Sequence, residues 1–157
     1  MKNLSLKAKK GFSLIELLVV IAIIGILSAV GITTYTGYTA NAKKQSTTAQ
    51  YSATVSLLNA EEAKCAGGTG TYVWGGNCGT DPTLATVVTY MNTTLGMKNP
   101  YNPSANAVES LANAADVAVA KGGTGIFRAS GAWTVKSDID GDGDIDTDDK
   151  SITTTAY

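Results

Sequence analysis

From Phe12 to Ile32 nearly every residue is apolar, and the run holds a single charged side chain, Glu16. As a helix it would be about 30 Å long at about 1.5 Å per residue, the thickness of a bilayer's hydrocarbon core. A chain of 157 residues has no core that could surround a helix hydrophobic on every face, so the segment calls for lipid or for copies of itself. A secretory signal would end at a small-residue cleavage site, but Leu27-Ser28-Ala29 runs on into more apolar sequence and then a helical pattern. A plain signal anchor gives no reason for a carboxylate inside the membrane, which costs at least about 2.5 kcal/mol by insertion scales and less near the interface.

Lys2, Lys7, Lys9 and Lys10 precede the run. By the positive-inside rule they stay in the cytoplasm, and everything after the span is exported. Setting those four aside from the twelve basic residues leaves eight against thirteen acids, a balance of −5 from Phe12 onward. Such a surface argues against nucleic acid as a partner. The best partner for Glu16 is a positive charge. A cut between Gly11 and Phe12 would create an α-amino group one helical turn away, and similar amines would arrive with each neighbouring subunit. Pairing would then set the stagger between packed helices, because an unpaired carboxylate is penalised in low-dielectric surroundings.

Lys9-Lys10-Gly11-Phe12-Ser13-Leu14-Ile15-Glu16 followed by Leu17-Leu18-Val19-Val20-Ile21-Ala22-Ile23-Ile24-Gly25-Ile26-Leu27 closely resembles the class III signal of type IV pilins and pseudopilins. The resemblance implies that a membrane-embedded prepilin peptidase cuts after Gly11 and methylates the Phe12 amine, and that Glu16 is the assembly carboxylate. It covers about the first forty residues in detail, and beyond them only the plan of long helix, loop and antiparallel sheet. Many members carry a proline where this chain has Thr33-Thr34 before Tyr35. In the family the segment between the glycine matching Gly25 and that proline can lose helicity in the filament; here Gly31, Thr33 and Thr34 would have to permit it, Gly costing about 1 kcal/mol in a helix.

The expected fold is α+β. A leader, 1–11, is followed by one long helix, 12–63, whose first part, 12–33, is the transmembrane and polymerisation half, and by a head, 64–157. Tyr38, Ala42, Ala49, Ala53, Leu57 and Ala60 continue a stripe at roughly helical spacing, an Ala/Leu/Val face to lay on a sheet. Cys65 and Cys78 read as a disulfide in an exported head, with free thiols as the alternative; the closed loop would stabilise by roughly 3 kcal/mol. Between them Tyr72, Val73 and Trp74 form a small apolar knot, with Trp74 read as core cover in preference to a subunit contact. Asp81 is placed to cap a short helix from Pro82 to about Thr94. Asn99-Pro100-Tyr101-Asn102-Pro103 forces a turn. Alternation in Val117-Ala118-Val119, Ile126-Phe127-Arg128 and Trp133-Thr134-Val135, with a last stretch near Ile152 to Thr155, predicts an antiparallel sheet.

Seven aspartates crowd between Asp138 and Asp149. Their spacing fits a twelve-residue calcium loop, with side chains of Asp138, Asp140 and Asp142, the backbone carbonyl of Asp144, Asp146 directly or through water, and Asp149 around a hard cation. Ile145 would pack inward. The loop resembles those of EF-hand and dockerin modules, with Asp149 where they carry glutamate; the shorter carboxylate and extracellular setting place dissociation constants on the order of 10⁻⁴ to 10⁻³ M. The bland alternative is a solvated acidic tail.

With no histidine, the cysteines better used as a bridge and no active-site motif, the chain reads as a non-enzyme. The leading expectation is a major pilin: a self-polymerising structural subunit held in the inner membrane as a precursor, then assembled by inner-membrane machinery into an extracellular filament. The nearest alternative is a pseudopilin of a type II secretion or competence system. A third is a membrane-anchored calcium-binding module that never polymerises.

Overall fold

A computed structural model describes residues 11–116 and 119–154. The leader lysines, Val117-Ala118 and Thr155 lie outside the described residues. The described residues divide into two compact units, the boundary falling between Thr39 and Ala40.

In the first unit, helix α1 (Leu14–Cys65) begins right after Ser13, whose backbone N–H donates to Glu16 Oε2 at 2.8 Å. A serine just before the helix and a glutamate three residues on are the two halves of a capping box. The helix runs unbroken through Gly25, Gly31, Thr33 and Thr34. Both threonine hydroxyls donate to the Val30 carbonyl at 3.0 Å, so the β-branched pair is accommodated by bonding back onto the preceding turn. Every large apolar side chain from Phe12 to Ile32 is exposed.

In the second unit, the remainder of α1 buries Thr47, Thr54, Leu58, Glu61 and Cys65. The predicted alanine stripe is therefore misplaced: Ala42, Ala49, Ala53 and Ala60 are exposed, and only Leu57 of that set is half-buried and packed on the core. Thr47 serves as an inward residue with its hydroxyl satisfied inside the helix, donating to the Lys43 carbonyl at 3.1 Å and leaving the methyl to pack. The helix ends where Gly68 turns into the left-handed region, φ 68°, and donates to the Cys65 carbonyl at 2.8 Å.

Cys65 and Cys78 are bonded as expected. Between them Tyr72 and Trp74 are buried while Val73 is exposed, so the knot is aromatic. Trp74 stacks on Tyr72 at 5.1 Å between ring centroids and meets Trp133 edge-on at 6.2 Å. Trp74 thus covers the core.

The short helix after the loop is α2 (Leu84–Thr89), continued by one π-helical turn at Tyr90–Thr94. It opens at Thr83, without a side-chain cap. Asp81 is not its cap, because its carboxylate is drawn to a stronger partner: Oδ1 accepts from Arg128 Nε at 2.9 Å. From the π turn, buried Asn92 accepts from the backbone of Ala107 and Val108 and donates to the Val108 carbonyl at 2.7 Å. Those bonds hold down β1 (Val108–Ser110), a strand that alternation did not reveal.

The sheet order is β1-β2-β3-β4. β2 (Thr124–Ala129) and β3 (Ala132–Ser137) form a hairpin through Ser130 and Gly131, at φ 51° and 81°, the positive values that a two-residue turn of this hand requires. β4 (Lys150–Thr153) pairs antiparallel with β3 and is exposed throughout. β1 pairs parallel with β2, so the sheet is mixed where the sequence predicts a wholly antiparallel one. Val119, expected in a strand, lies outside any. The core gathers Trp133, Leu58, Met91, Ile126, Val87, Val108 and Val135, all fully buried.

Candidate functional site

Two features stand apart from the packing of the core: the exposed apolar helix with Glu16, and the acidic loop joining β3 to β4. Glu16 sits on the first turn of α1, its Oε2 engaged by Ser13 N. Gly11 and Phe12 precede the helix and are exposed. Sequence reasoning gave Glu16 a function across subunits and missed its local one, although Ser13-x-x-Glu16 was there to be read.

The acidic loop is built around Asp138, which follows β3 directly and is fully buried. Its Oδ1 accepts from Gly141 N at 2.6 Å, and its Oδ2 from Gly143 N at 2.8 Å and Gly122 N at 3.0 Å. Asp140 Oδ1 accepts from Asp142 N, and Asp142 Oδ1 from Asp144 N. At the far end Asp149 closes the loop, its Oδ1 accepting from Ile139 N and its Oδ2 from Asp146 N at 3.1 Å. The loop is braced from outside by Tyr101, whose hydroxyl donates to the Ile139 carbonyl at 2.9 Å. The Tyr101 ring occupies the space where a Cβ at Gly122 or Gly141 would stand, which is why both positions are glycine. The turn that carries it is fixed by Asn99, which accepts from the backbone of Tyr101 and Asn102.

Carboxylate oxygens of Asp138, Asp140, Asp142 and Asp149 come within 4.8 Å of one another. Asp146 is not in that group; with Asp142 and Asp144 it forms a second, exposed one. The crowding has an electrostatic signature. Asp144 is pushed above the ordinary carboxylate range chiefly by the Asp142 charge, and Asp149 is pushed up by burial, against the pull of its two backbone bonds. A set of hard oxygens with surplus negative charge suits a divalent cation such as Ca²⁺.

A third cluster was not foreseen. Arg128 pairs with Glu62 and with Asp81, and its guanidinium lies 5.0 Å from the Trp133 ring centroid. Glu62 also accepts from Trp133 Nε1 at 2.9 Å. Burial works to lower the Arg128 pKa, but the bonds to Glu62 and Asp81 prevail and it is raised. Three charges placed far apart in sequence leave no local pattern; the arrangement fastens α1, the segment after the disulfide loop and β2 to one another.

Comparison with known proteins bears on the N-terminal segment alone. Residues 6–32 match the family model of the prokaryotic N-terminal methylation motif. Two fimbrial proteins of Pseudomonas aeruginosa are each 63% identical over 35 residues, 22% of this chain. The match spans 23% of the length of those curated relatives. No solved structure matches the chain. A long apolar helix leading into a small mixed α+β head agrees with the plan that the motif implies. The likeness to fimbrial proteins and to the methylation-motif family thus lies in the N-terminal segment, which resembles that of the type IV pilins.

Proposed function

We propose that this chain is a structural subunit, a major pilin, of a type IV pilus-like surface filament. In this reading it is made as an inner-membrane precursor, cut after Gly11 by a prepilin peptidase that also methylates the Phe12 amine, and polymerised through the apolar part of α1. The observation that carries the reading is the exposure of every large apolar side chain from Phe12 to Ile32 around one carboxylate, Glu16. Such a surface is stable only in lipid or against copies of itself. Glu16 would make its capping bond within the subunit and meet an α-ammonium group in the assembly.

We further propose that the loop 138–149 binds Ca²⁺. The carboxylates of Asp138, Asp140, Asp142 and Asp149 would hold it, with Asp146 and the backbone carbonyl of Asp144 completing the shell. The ion would neutralise repulsion within the loop and secure the connection between β3 and β4. No catalytic role is assigned.

The deciding experiment is to shear the cell surface, image the released material by electron microscopy and determine the N-terminal residue by mass spectrometry. Filaments whose subunits begin with methylated Phe12 support the major-pilin reading. Processed protein confined to the membrane favours the pseudopilin. Uncut protein retaining Met1 to Gly11 overturns both.

A further inference from the structure

A peptide bond between aspartate and glycine is chemically fragile. The glycine nitrogen can attack Cγ of the protonated aspartate, forming an N–C bond, while the nitrogen's proton and the carboxyl's hydroxyl leave as water. The five-membered succinimide that results is reopened by water at either carbonyl. One of the two products is isoaspartate, in which the backbone runs through the side-chain carbon. Glycine favours the attack because it has no Cβ to obstruct it and few restraints on its backbone. The sequence has two such bonds, Asp140-Gly141 and Asp142-Gly143, and no Asn-Gly pair.

In the folded loop both attacking nitrogens are already engaged by one group. Gly141 N–H donates to Asp138 Oδ1 and Gly143 N–H to Asp138 Oδ2, at 2.6 and 2.8 Å. The carboxyls under attack are also engaged. Asp140 Oδ1 takes the N–H of Asp142 at 3.2 Å and Asp142 Oδ1 that of Asp144 at 3.0 Å, each reaching past the glycine nitrogen to the residue beyond. Attack requires the glycine nitrogen to shed its proton. Beside a buried carboxylate that step would set one anion against another, and it would break a charge-assisted hydrogen bond. Asp138 is held for this task by its own burial and by a third donor, Gly122 N, from outside the loop.

We propose that Asp138 guards the loop against its own chemistry, and that Asp140 and Asp142 are the chain's isoaspartate sites once that guard is lost. The guard acts through backbone hydrogen bonds alone and does not depend on a bound cation.

The test uses the full chain in detergent micelles with excess chelator, aged at neutral pH and analysed by peptide mapping with fragmentation that distinguishes isoaspartate. Asp138→Asn should accelerate isomerisation at Asp140 and Asp142 by about tenfold, the worth of one hydrogen bond to a charged group. Asp149→Asn, which removes the same charge from the same loop without touching either glycine nitrogen, should leave the rate near that of the parent. Equal rates in the parent and Asp138→Asn, or equal acceleration by Asp149→Asn, would overturn the proposal. Should Asp138→Asn fail to fold, amide exchange in the parent decides: Gly141 and Gly143 must be strongly protected, and exchange as fast as in an unfolded chain rejects the guard.

Discussion

The apolar part of α1 and the head solve opposite problems. Past its first turn, the helix from Leu14 to Ile32 satisfies its backbone groups by its own geometry and leaves its large apolar side chains exposed. The head does the reverse. Among the described residues, twelve buried hydrophobic ones make up its main core cluster, and it fixes much of its backbone with side-chain bonds: Asn92 to β1, Asn99 to the following turn, Asp138 to the acidic loop. The difference teaches where each part gets its specificity. A uniform apolar helix is specified by what it meets, a small polar head by which hydrogen bonds it closes.

The comparison breaks most visibly at Glu16. In the filament reading, Glu16→Leu abolishes or deranges assembly while leaving membrane insertion intact, as sheared-filament yield and membrane fractionation would show; wild-type filaments from that variant would mean that the helix carries no positional code. In the head, Glu62→Gln removes the carboxylate that serves both Arg128 and Trp133 Nε1, both largely buried. Stability should fall by about 3 kcal/mol, the usual cost of leaving a buried charge without its partner, measured by denaturant unfolding. A loss under about 1 kcal/mol would mean that Asp81 alone satisfies Arg128.

Calcium sharpens the contrast further, since it should act on the head and leave the apolar helix indifferent. Calcium at about a hundred times its dissociation constant should stabilise the head by about 2.7 kcal/mol, seen as a rise in Tm, and Asp142→Ala should remove the gain. The smallest effect expected is alkaline. Burial is the first cause raising Tyr51, Tyr72 and Tyr101 above the ordinary 10.0. The folded head therefore keeps protons that the unfolded chain releases, and its stability, full below pH 10, should decline as pH rises through the raised values. Denaturation midpoints that do not move above pH 10 would show that these hydroxyls titrate as in the unfolded chain.

The sequence made the helix plain because a long apolar run needs no tertiary information to be recognised. The disulfide and hairpin strands were legible for a related reason: cysteine pairing and alternation are local or nearly so. What escaped was decided at a distance. β1 follows no alternation, being fixed by Asn92, sixteen residues before Val108. Asp81 reads as a cap because serine-like acids before proline usually are; Arg128, forty-seven residues on, claims it. Threonines at 47 and 54 hid the inward face of α1, since a hydropathy stripe ranks alanine above them. In the acidic loop the spacing pointed to Asp138, Asp140, Asp142, Asp144, Asp146 and Asp149 as one set; carboxylate oxygens of Asp138, Asp140, Asp142 and Asp149 lie together while Asp146 falls in a second group, and nothing in the spacing announced that Asp138 would be buried on three backbone donors.

β4 carries a consequence of a different kind. A chain proposed to polymerise is concentrated among its own copies, and an open sheet edge offers a second, irreversible polymer: a cross-β fibre. The edge at Lys150–Thr153 is four residues long, opens with a lysine and has a single apolar side chain, Ile152. Short length and a charge are the features that make an edge a poor template. Self-association is thereby channelled toward the helix, and lengthening β4 or exchanging Lys150 for a β-branched apolar residue would set two modes of growth in competition within one molecule.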